Sequence, residues 1–501
     1  DKKEDKKEDK DSKKGVKDIV VEIDGLEDRV VRLTPTSSNM ASAMITNDGQ
    51  TLYYIASYQA GYELWKMSEN RETKLISKNS GVGSMEMSKD GKSIYILGSS
   101  PKKLTIAGDK LTNISTSADM QLDLAAEREY MFNVVCREES RRFYTEDMHG
   151  VDWPALTKNY RQFLPHINNN YDFANMLSEL LGELNVSHTG GRYSPRLPGV
   201  VTADLGLFFD WKYQGSGLRV EEVIEGSPLD IKDSKVEKGV IIEKIDGVEI
   251  TPDMDYTTLI NDKANVKTLL SLYNPFNGER WEEVTKPVSK SVINNLLYNR
   301  WIKNRAADVE RLSNGRLGYV HIKSMNDGSF RDVYSDILGK YNDKEGIVID
   351  TRFNGGGRLH EDVEILFSGK KYLTQVIRGR ESCDMPSRRY NKPSIMIQCE
   401  ANYSNAHGTP WVYREVGLGK LVGMPVPGTM TSVSWTTLQD PTLVFGIPIV
   451  GYRTNRGNYL ENSQLEPDFK VANSPETIIY GVDSQLKVAV EELLKQIDSQ
   501  K

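Results

Sequence analysis

Gly346-Ile347-Val348-Ile349-Asp350-Thr351-Arg352-Phe353-Asn354-Gly355-Gly356-Gly357 says more about the architecture of this chain than any other stretch. An unbroken apolar run ending in an acid predicts a strand covered on both faces, as in a parallel sheet. The three glycines after Asn354 let the backbone turn sharply and aim N–H groups at a ligand without Cβ obstruction. A second apolar run, Ser394-Ile395-Met396-Ile397-Gln398, leads into Ala401-Asn402-Tyr403-Ser404-Asn405-Ala406-His407-Gly408. It places a serine where a strand gives way to a helix, near the glycine-rich loop. Either segment alone reads as an ordinary strand-to-helix turn of an α/β domain. Together they can expose a nucleophile and supply an oxyanion hole.

Around these segments, 501 residues are too many for one core, and three or four domains are expected. A net charge of -7 gives no basic surface of the kind nucleic-acid binding needs. No run reaches the roughly 18 apolar residues that cross a bilayer. Cys136, Cys383 and Cys399 lie far apart, which argues against a disulfide framework or a structural metal. No metal or cofactor is expected. The chain opens at Asp1 without methionine or signal peptide and reads as a processed or excised piece. Its compartment stays open between cytoplasm and export in a prokaryote.

Residues 1–38 begin with alternating acids and bases and read as a disordered linker or insertion. Within 39–118, Asn47-Asp48-Gly49-Gln50-Thr51-Leu52-Tyr53 recurs as Lys89-Asp90-Gly91-Lys92-Ser93-Ile94-Tyr95, an offset of 42 residues. Asp-Gly turns followed by alternating residues, at a period near 40, are the signature of β-propeller blades. Two blades cannot close a propeller, so these read as its C-terminal part. Residues 119–192 have helical spacing and end in Asn185-Val186-Ser187-His188-Thr189-Gly190-Gly191, read as a turn.

Residues 193–290 read as one domain, all-β with one helix over 200–290. Leu205-Gly206-Leu207-Phe208, Gly226-Ser227-Pro228-Leu229 and Ile245-Asp246-Gly247 in succession resemble a PDZ domain. That resemblance implies that the loop at Leu205, Gly206, Leu207 and Phe208 offers N–H groups to a peptide carboxylate while the peptide adds as a strand. A groove that is closed or merely structural reads equally well. From 291 to 501, helices alternate with apolar strands at 317–322, 347–350, 394–398 and 442–447, which argues for a layered α/β core.

The segments Ser187-His188-Thr189-Gly190-Gly191, Ser404-Asn405 and Tyr459-Leu460-Glu461-Asn462, in this order around the PDZ-like part, resemble the tricorn branch of the S41 serine peptidases. The resemblance spans residues 39–501 and includes Met148-His149-Gly150-Val151-Asp152-Trp153 and Gly417-Leu418-Gly419-Lys420. It implies a multidomain α+β protein whose α/β layered catalytic core is of the crotonase/ClpP type. It also implies Ser404 as nucleophile, His188 as general base, and Ser187 and Glu461 as the residues that position and polarise the histidine. The N–H of Asn405 and one from Gly355 or Gly356 would form the oxyanion hole. Relatives often carry aspartate where this chain has Asn405. The tail-specific branch uses a lysine base, and the place where it would fall holds Thr429, so histidine chemistry is expected. A near-unperturbed imidazole base implies an acid limb at about pH 6–7.5.

His407, one turn past Ser404, reads as lining or supporting the site, His149 as structural, and His360 as a possible neighbour of substrate. The function expected is ATP-independent cleavage of short or unfolded peptides, since no phosphate-binding loop is present. The resemblance also implies a homo-oligomer, with a hexameric ring as the family's form. The competing readings are an inactive PDZ/propeller peptide-binding scaffold and a crotonase-like acyl-CoA enzyme. Neither accounts for an intact Ser404, His188 and Glu461 together with the PDZ-like insert.

Overall fold

The computed structural model describes residues 21–34, 37–58, 61–78, 81, 83–195 and 199–500. The charged opening, 1–18, lies outside the described residues. The chain divides into two compact units, Asp1–Gln121 and Leu122–Lys501.

In the first unit each sequence repeat folds as a four-stranded antiparallel sheet. One comprises β1 (Asn39–Ile45), β2 (Thr51–Ser57), β3 (Tyr62–Ser68) and β4 (Thr73–Ser77). The other comprises β5 (Ser84–Met87), β6 (Ser93–Leu97), β7 (Lys102–Thr105) and β8 (Lys110–Asn113). The repeated turns are built alike. Thr46 Oγ1 donates to Asp48 Oδ1 and Ser88 Oγ to Asp90 Oδ1, both at 2.6 Å, and each aspartate then accepts the N–H two residues on. Tyr53, Ile55 and Leu64 of the first sheet share a core with Ile94, Ile96 and Leu104 of the second.

The second unit begins with three helices, α1 (Leu124–Arg142), α2 (Trp153–Arg161) and α3 (Asn170–Gly182), whose N-termini are capped by Asp123, Asp152 and Asn169. The segment after them, expected as a turn, does turn at Ser187 and His188, and its last two residues open strand β9 (Gly190–Tyr193). The short strand β10 (Ala203–Asp204) precedes an antiparallel sheet. It consists of β11 (Leu207–Phe209), β12 (Leu218–Val223), β13 (Ile241–Ile245), β14 (Val248–Glu249), β15 (Thr268–Tyr273) and β16 (Arg280–Thr285). Strand β17 (Val288–Ser289) closes on β10. The helix expected within 193–290 is only a 3₁₀ turn, Tyr256–Ile260. Val220, Ile242, Leu270 and Leu272 fill the core of this region.

The remaining elements are α4 (Lys290–Leu312), β18 (Leu317–His321), α5 (Asp327–Ser335), β19 (Gly346–Asp350), α6 (His360–Phe367), the hairpin β20 (Leu373–Ile377) and β21 (Arg380–Met385), and β22 (Ser394–Gln398). Then come α7 (Asn405–Glu415), β23 (Lys420–Gly423), β24 (Thr431–Thr437), β25 (Leu443–Gly451), β26 (Phe469–Lys470), α8 (Pro475–Ile478) and α9 (Ser484–Ser499). Strands β18-β19-β22-β23-β26 form a parallel sheet in that order. All five residues of β19 are buried. Ile347 and Ile349 pack with Val363 and Leu366 of α6, while Val348 packs with Val490 and Leu493 of α9 on the opposite face. The layered core is therefore present.

One strand departs from expectation. Of the stretch 442–447, all but Thr442 belongs to β25, which pairs with β24 and β9 in a separate antiparallel sheet, and β23 takes the expected place in the parallel one. Leu443, Phe445 and Ile447 bury against Phe132, Phe173 and Leu177 of the helices. The helical segment thus closes its core only with a strand some 250 residues further on, which local periodicity cannot reveal. Among the described residues no helix is long and apolar enough to cross a membrane.

Candidate active site

Ser404 sits at the N-cap of α7 with φ 58° and ψ -127°, a conformation that costs a non-glycine residue free energy and is kept only where surroundings fix it. Two main-chain contacts do the fixing. Ser404 N–H donates to Thr429 Oγ1 at 3.2 Å, and the preceding N–H, of Tyr403, donates to the Asn354 carbonyl at 3.0 Å. Asn354 is fully buried and shapes the glycine loop: its Oδ1 accepts from Gly356 N at 2.8 Å and its Nδ2 donates to Ile322 O at 2.7 Å. Gly356 has φ 98°, and a Cβ there would stand 2.6 Å from Ser404 Cβ. At Gly357, with φ 136°, a Cβ would meet the Met325 carbonyl at 2.1 Å. Both positions admit only glycine.

The loop is anchored by a buried ion network. Arg352, 2% exposed, donates to Asp350 at 2.7 Å and to Asp483 at 2.9 and 3.0 Å. Burial alone would raise the Asp350 carboxyl, but the Arg352 guanidinium holds it below its ordinary range.

Of the two glycines expected to offer an N–H, Gly356 has its own already engaged by Asn354. Gly355 N and Asn405 N have no hydrogen-bond partner among the described residues. Asn405 N belongs to the first turn of α7, where N–H groups lack intrahelical acceptors. The Asn405 side chain does a separate job. Its Oδ1 accepts from Leu359 N and His360 N at 2.8 and 3.1 Å, which caps α6 and ties the glycine loop to α7. His360 Nδ1 lies 2.7 Å from Asn405 Nδ2 and so accepts from it.

His188 reaches the same place from the turn just before β9. It has φ 64°, and its N–H donates to Tyr403 Oη at 2.7 Å. The two rings are 4.6 Å apart at 44°. Nδ1 of His188 is 2.8 Å from Ser187 Oγ, and Ser187 Oγ donates to Glu461 Oε2 at 2.9 Å. Ser187 N donates to Glu461 Oε1 at 2.6 Å. With its own proton on Glu461, the Ser187 hydroxyl accepts from Nδ1–H, and Nε2 of His188 is left with its lone pair. Nε2 makes no hydrogen bond to Ser404 Oγ in this structure. Burial holds the His188 imidazole down to about 4, below the unperturbed range from which the pH 6–7.5 limb was expected. Burial raises the Glu461 carboxyl despite the opposing Ser187 hydrogen bonds.

The four residues expected to act together, Ser404, His188, Ser187 and Glu461, therefore converge through Tyr403, Thr429 and Thr431. Sequence reading missed Tyr403 and Thr431 as parts of the site. Thr431 Oγ1 lies 3.0 Å from His188 Nδ1, and no local pattern announces a contact between residues 243 apart. Thr429, where a lysine base would fall, does lie beside Ser404, and it carries only a hydroxyl. His407 is fully buried with both ring nitrogens unpartnered, and burial holds it to about 4. His149 donates from Nδ1 to Leu184 O at 2.9 Å and accepts from Tyr144 Oη, a structural pairing.

The loop Leu205, Gly206, Leu207, Phe208 lies elsewhere, at the edge strand β11, beside a cavity of about 550 Å³ lined by Leu207, Phe208, Tyr256, Ile260 and Ile293. Its Gly206 N–H, a donor the resemblance would give to a peptide carboxylate, is taken by Asp204 Oδ1 at 2.8 Å. The other Asp204 oxygen faces Lys290 Nζ at 3.3 Å. An acid of the chain itself thus answers part of the expected anion site.

Family models match at two places: peptidase family S41 over residues 316–471 and the tricorn protease C1 domain over residues 124–182. Tricorn protease homolog 1 of Streptomyces coelicolor is 25% identical over 81% of this chain and 40% of its own length. A putative tricorn-like protease C-terminal subunit of Sulfurisphaera tokodaii is 23% identical over 95% of this chain and 58% of its own length. The crystal structure of the tricorn protease superposes with a TM-score of 0.74 at 19% identity, covering 90% of this chain and 46% of that one, which establishes likeness of fold. The chain spans about half the length of the curated relatives it matches. With S41 and C1 segments matching where the parallel sheet and the helical segment stand, the comparisons support the tricorn branch of the S41 peptidase family.

Proposed function

We propose that this chain is a serine peptidase that cleaves short or unfolded peptides through an acyl-enzyme. Ser404 is the nucleophile and His188 its base. Nε2 takes the hydroxyl proton as Oγ attacks the scissile carbonyl, and returns it to the leaving amine. Ser187 passes the influence of Glu461 to Nδ1, which fixes the tautomer and stabilises the imidazolium. The N–H groups of Asn405 and Gly355 hold the oxyanion, with the first turn of α7 adding its positive end.

The observation that carries this reading is the directed line from Glu461 through Ser187 to His188 Nδ1. It leaves the one free imidazole lone pair on Nε2, in a ring packed on the residue before Ser404. A scaffold has no use for that line. No hydrogen bond joins His188 Nε2 to Ser404 Oγ in this structure, and apo geometry is often looser than the working one. The two antiparallel repeats act as propeller blades, the β11–β16 region as a PDZ-like module, and the parallel sheet as a ClpP-like core. Peptide lies along the edge of β11 with its apolar side chains in the adjoining cavity.

The test is labelling with a serine-directed fluorophosphonate alongside hydrolysis of fluorogenic peptides. Ser404→Ala should abolish both while leaving stability within about 1 kcal/mol. Parental turnover in that variant would remove Ser404 from the mechanism. Labelling at another serine would move the site.

A further inference from the structure

Thr431, the first residue of β24, is 2% exposed and carries a hydroxyl that the tetrad scheme does not use. Its Oγ1 lies 3.0 Å from His188 Nδ1, 3.1 Å from Ser187 Oγ and 3.4 Å from the Ser187 carbonyl. Each hydroxyl has a single proton to give. That of Ser187 goes to Glu461 Oε2. That of Thr431 has two acceptors in reach, Ser187 Oγ at 3.1 Å and the Ser187 carbonyl at 3.4 Å. Both hydroxyl oxygens therefore turn lone pairs toward Nδ1, and Nδ1–H is shared between them.

We infer that Thr431 is a second positioning residue for His188, partly redundant with Ser187. It holds the tautomer with the proton on Nδ1 even when the Ser187 hydroxyl is gone. When Nε2 accepts the Ser404 proton, Nδ1 keeps its own, and the ring charge is met by two oxygens instead of one. Only Ser187 relays Glu461. Thr431 supplies a fixed dipole, buried and thus oriented at no cost during the reaction. The rate consequence rests on the serine-peptidase reading, whereas the tautomer consequence does not.

The experiment uses the full chain labelled with 15N-histidine, whose six histidines give a tractable set of ring signals. His188 is assigned by the signal lost in His188→Gln. Ser187→Ala and Thr431→Val should each keep the Nδ1–H tautomer, and the double variant should lose it. In peptide hydrolysis each single change should lower kcat about tenfold with KM little altered, as for loss of one hydrogen bond to a charged group. The double variant should fall further than the product of the two, and Thr431→Ser should restore parental kcat and the parental acid limb. An unchanged tautomer in the double variant overturns the inference, as does a Thr431→Val effect confined to KM or thermal stability. So does a tautomer already lost in Ser187→Ala. If parental protein hydrolyses nothing, the spectra still decide the role of Thr431, and that failure falls on the peptidase reading alone.

Discussion

Ser404 and its glycine loop are held by main-chain geometry at the exits of parallel strands β22 and β19, whereas His188 is held by a line of side chains between two other regions. On the first side the determinants are strained φ angles, glycines that no Cβ could replace, and a buried Asp350–Arg352–Asp483 network beneath them. On the second side the determinants are hydrogen bonds with directed protons, from Ser187 Oγ to Glu461 and from His188 Nδ1 to the Ser187 and Thr431 hydroxyls. Backbone strain tolerates no volume but does not depend on pH. A hydrogen-bonded line tolerates small volume changes but depends on which atoms carry protons. The two halves should therefore fail in different ways.

After loss of the nucleophile itself, the largest effect is expected on the side-chain half. His188→Ala should lower kcat/KM on the order of a thousandfold, equivalent to about 4 kcal/mol of transition-state stabilisation, with the fold retained. Near-parental kcat/KM in that variant would erase the division between the halves, because a base would then have to be found elsewhere.

On the main-chain half, Gly356→Ala brings a methyl against Ser404 Cβ and the Tyr403 carbonyl, at 2.6 and 2.8 Å. Displacing the loop should cost roughly a hundredfold in kcat, as for loss of an oxyanion donor, at all pH values alike. A Gly356→Ala loss that recovered at one end of the pH range would mean that this half also works through titrating groups.

The pH response separates the halves further. Burial holds both His188 and His407 at about 4, whereas in the unfolded chain a histidine titrates at about 6.5. Their folded values lie below their unfolded ones, so the unfolded state binds more protons in between. Stability present above about 6.5 is lost as pH falls through about 4. For the fully buried His407 the loss is about 3 kcal/mol. Urea unfolding should show it, and His407→Leu, which removes two unpartnered nitrogens, should flatten the acid slope. Equal acid sensitivity in His407→Leu would assign the slope to other groups. By the same displacement of His188, the acid limb of kcat/KM should move from about 6.5 toward about 4.

Much of the main-chain half is legible in the sequence. A buried strand in a parallel sheet writes a continuous apolar run, and Gly355-Gly356-Gly357 after Asn354 marks a place where a Cβ cannot stand. Ser404 at a strand-to-helix exit follows from the same pattern. Residues 442–447 mislead because a largely buried antiparallel strand and a short parallel one are both apolar over such a length. The loop at 205–208 stands out in the sequence as a candidate peptide site, but not that Asp204 takes the Gly206 N–H, a contact that depends on how one side chain folds back.

The order of residues along the chain is enough for elements whose cause is local: the apolar run of β19, the glycines that follow it, the Asp-Gly turns of the two repeats, and the capped helices. Their physics lies in neighbouring φ/ψ angles and side-chain periodicity, so a short window contains it. Which hydroxyl faces which nitrogen is settled in three dimensions alone. Glu461 meets Ser187, Thr431 meets His188 and Tyr403 holds the His188 N–H across separations above 200 residues. Hydrogen-bond direction and burial are properties of space, and no stretch of chain records them.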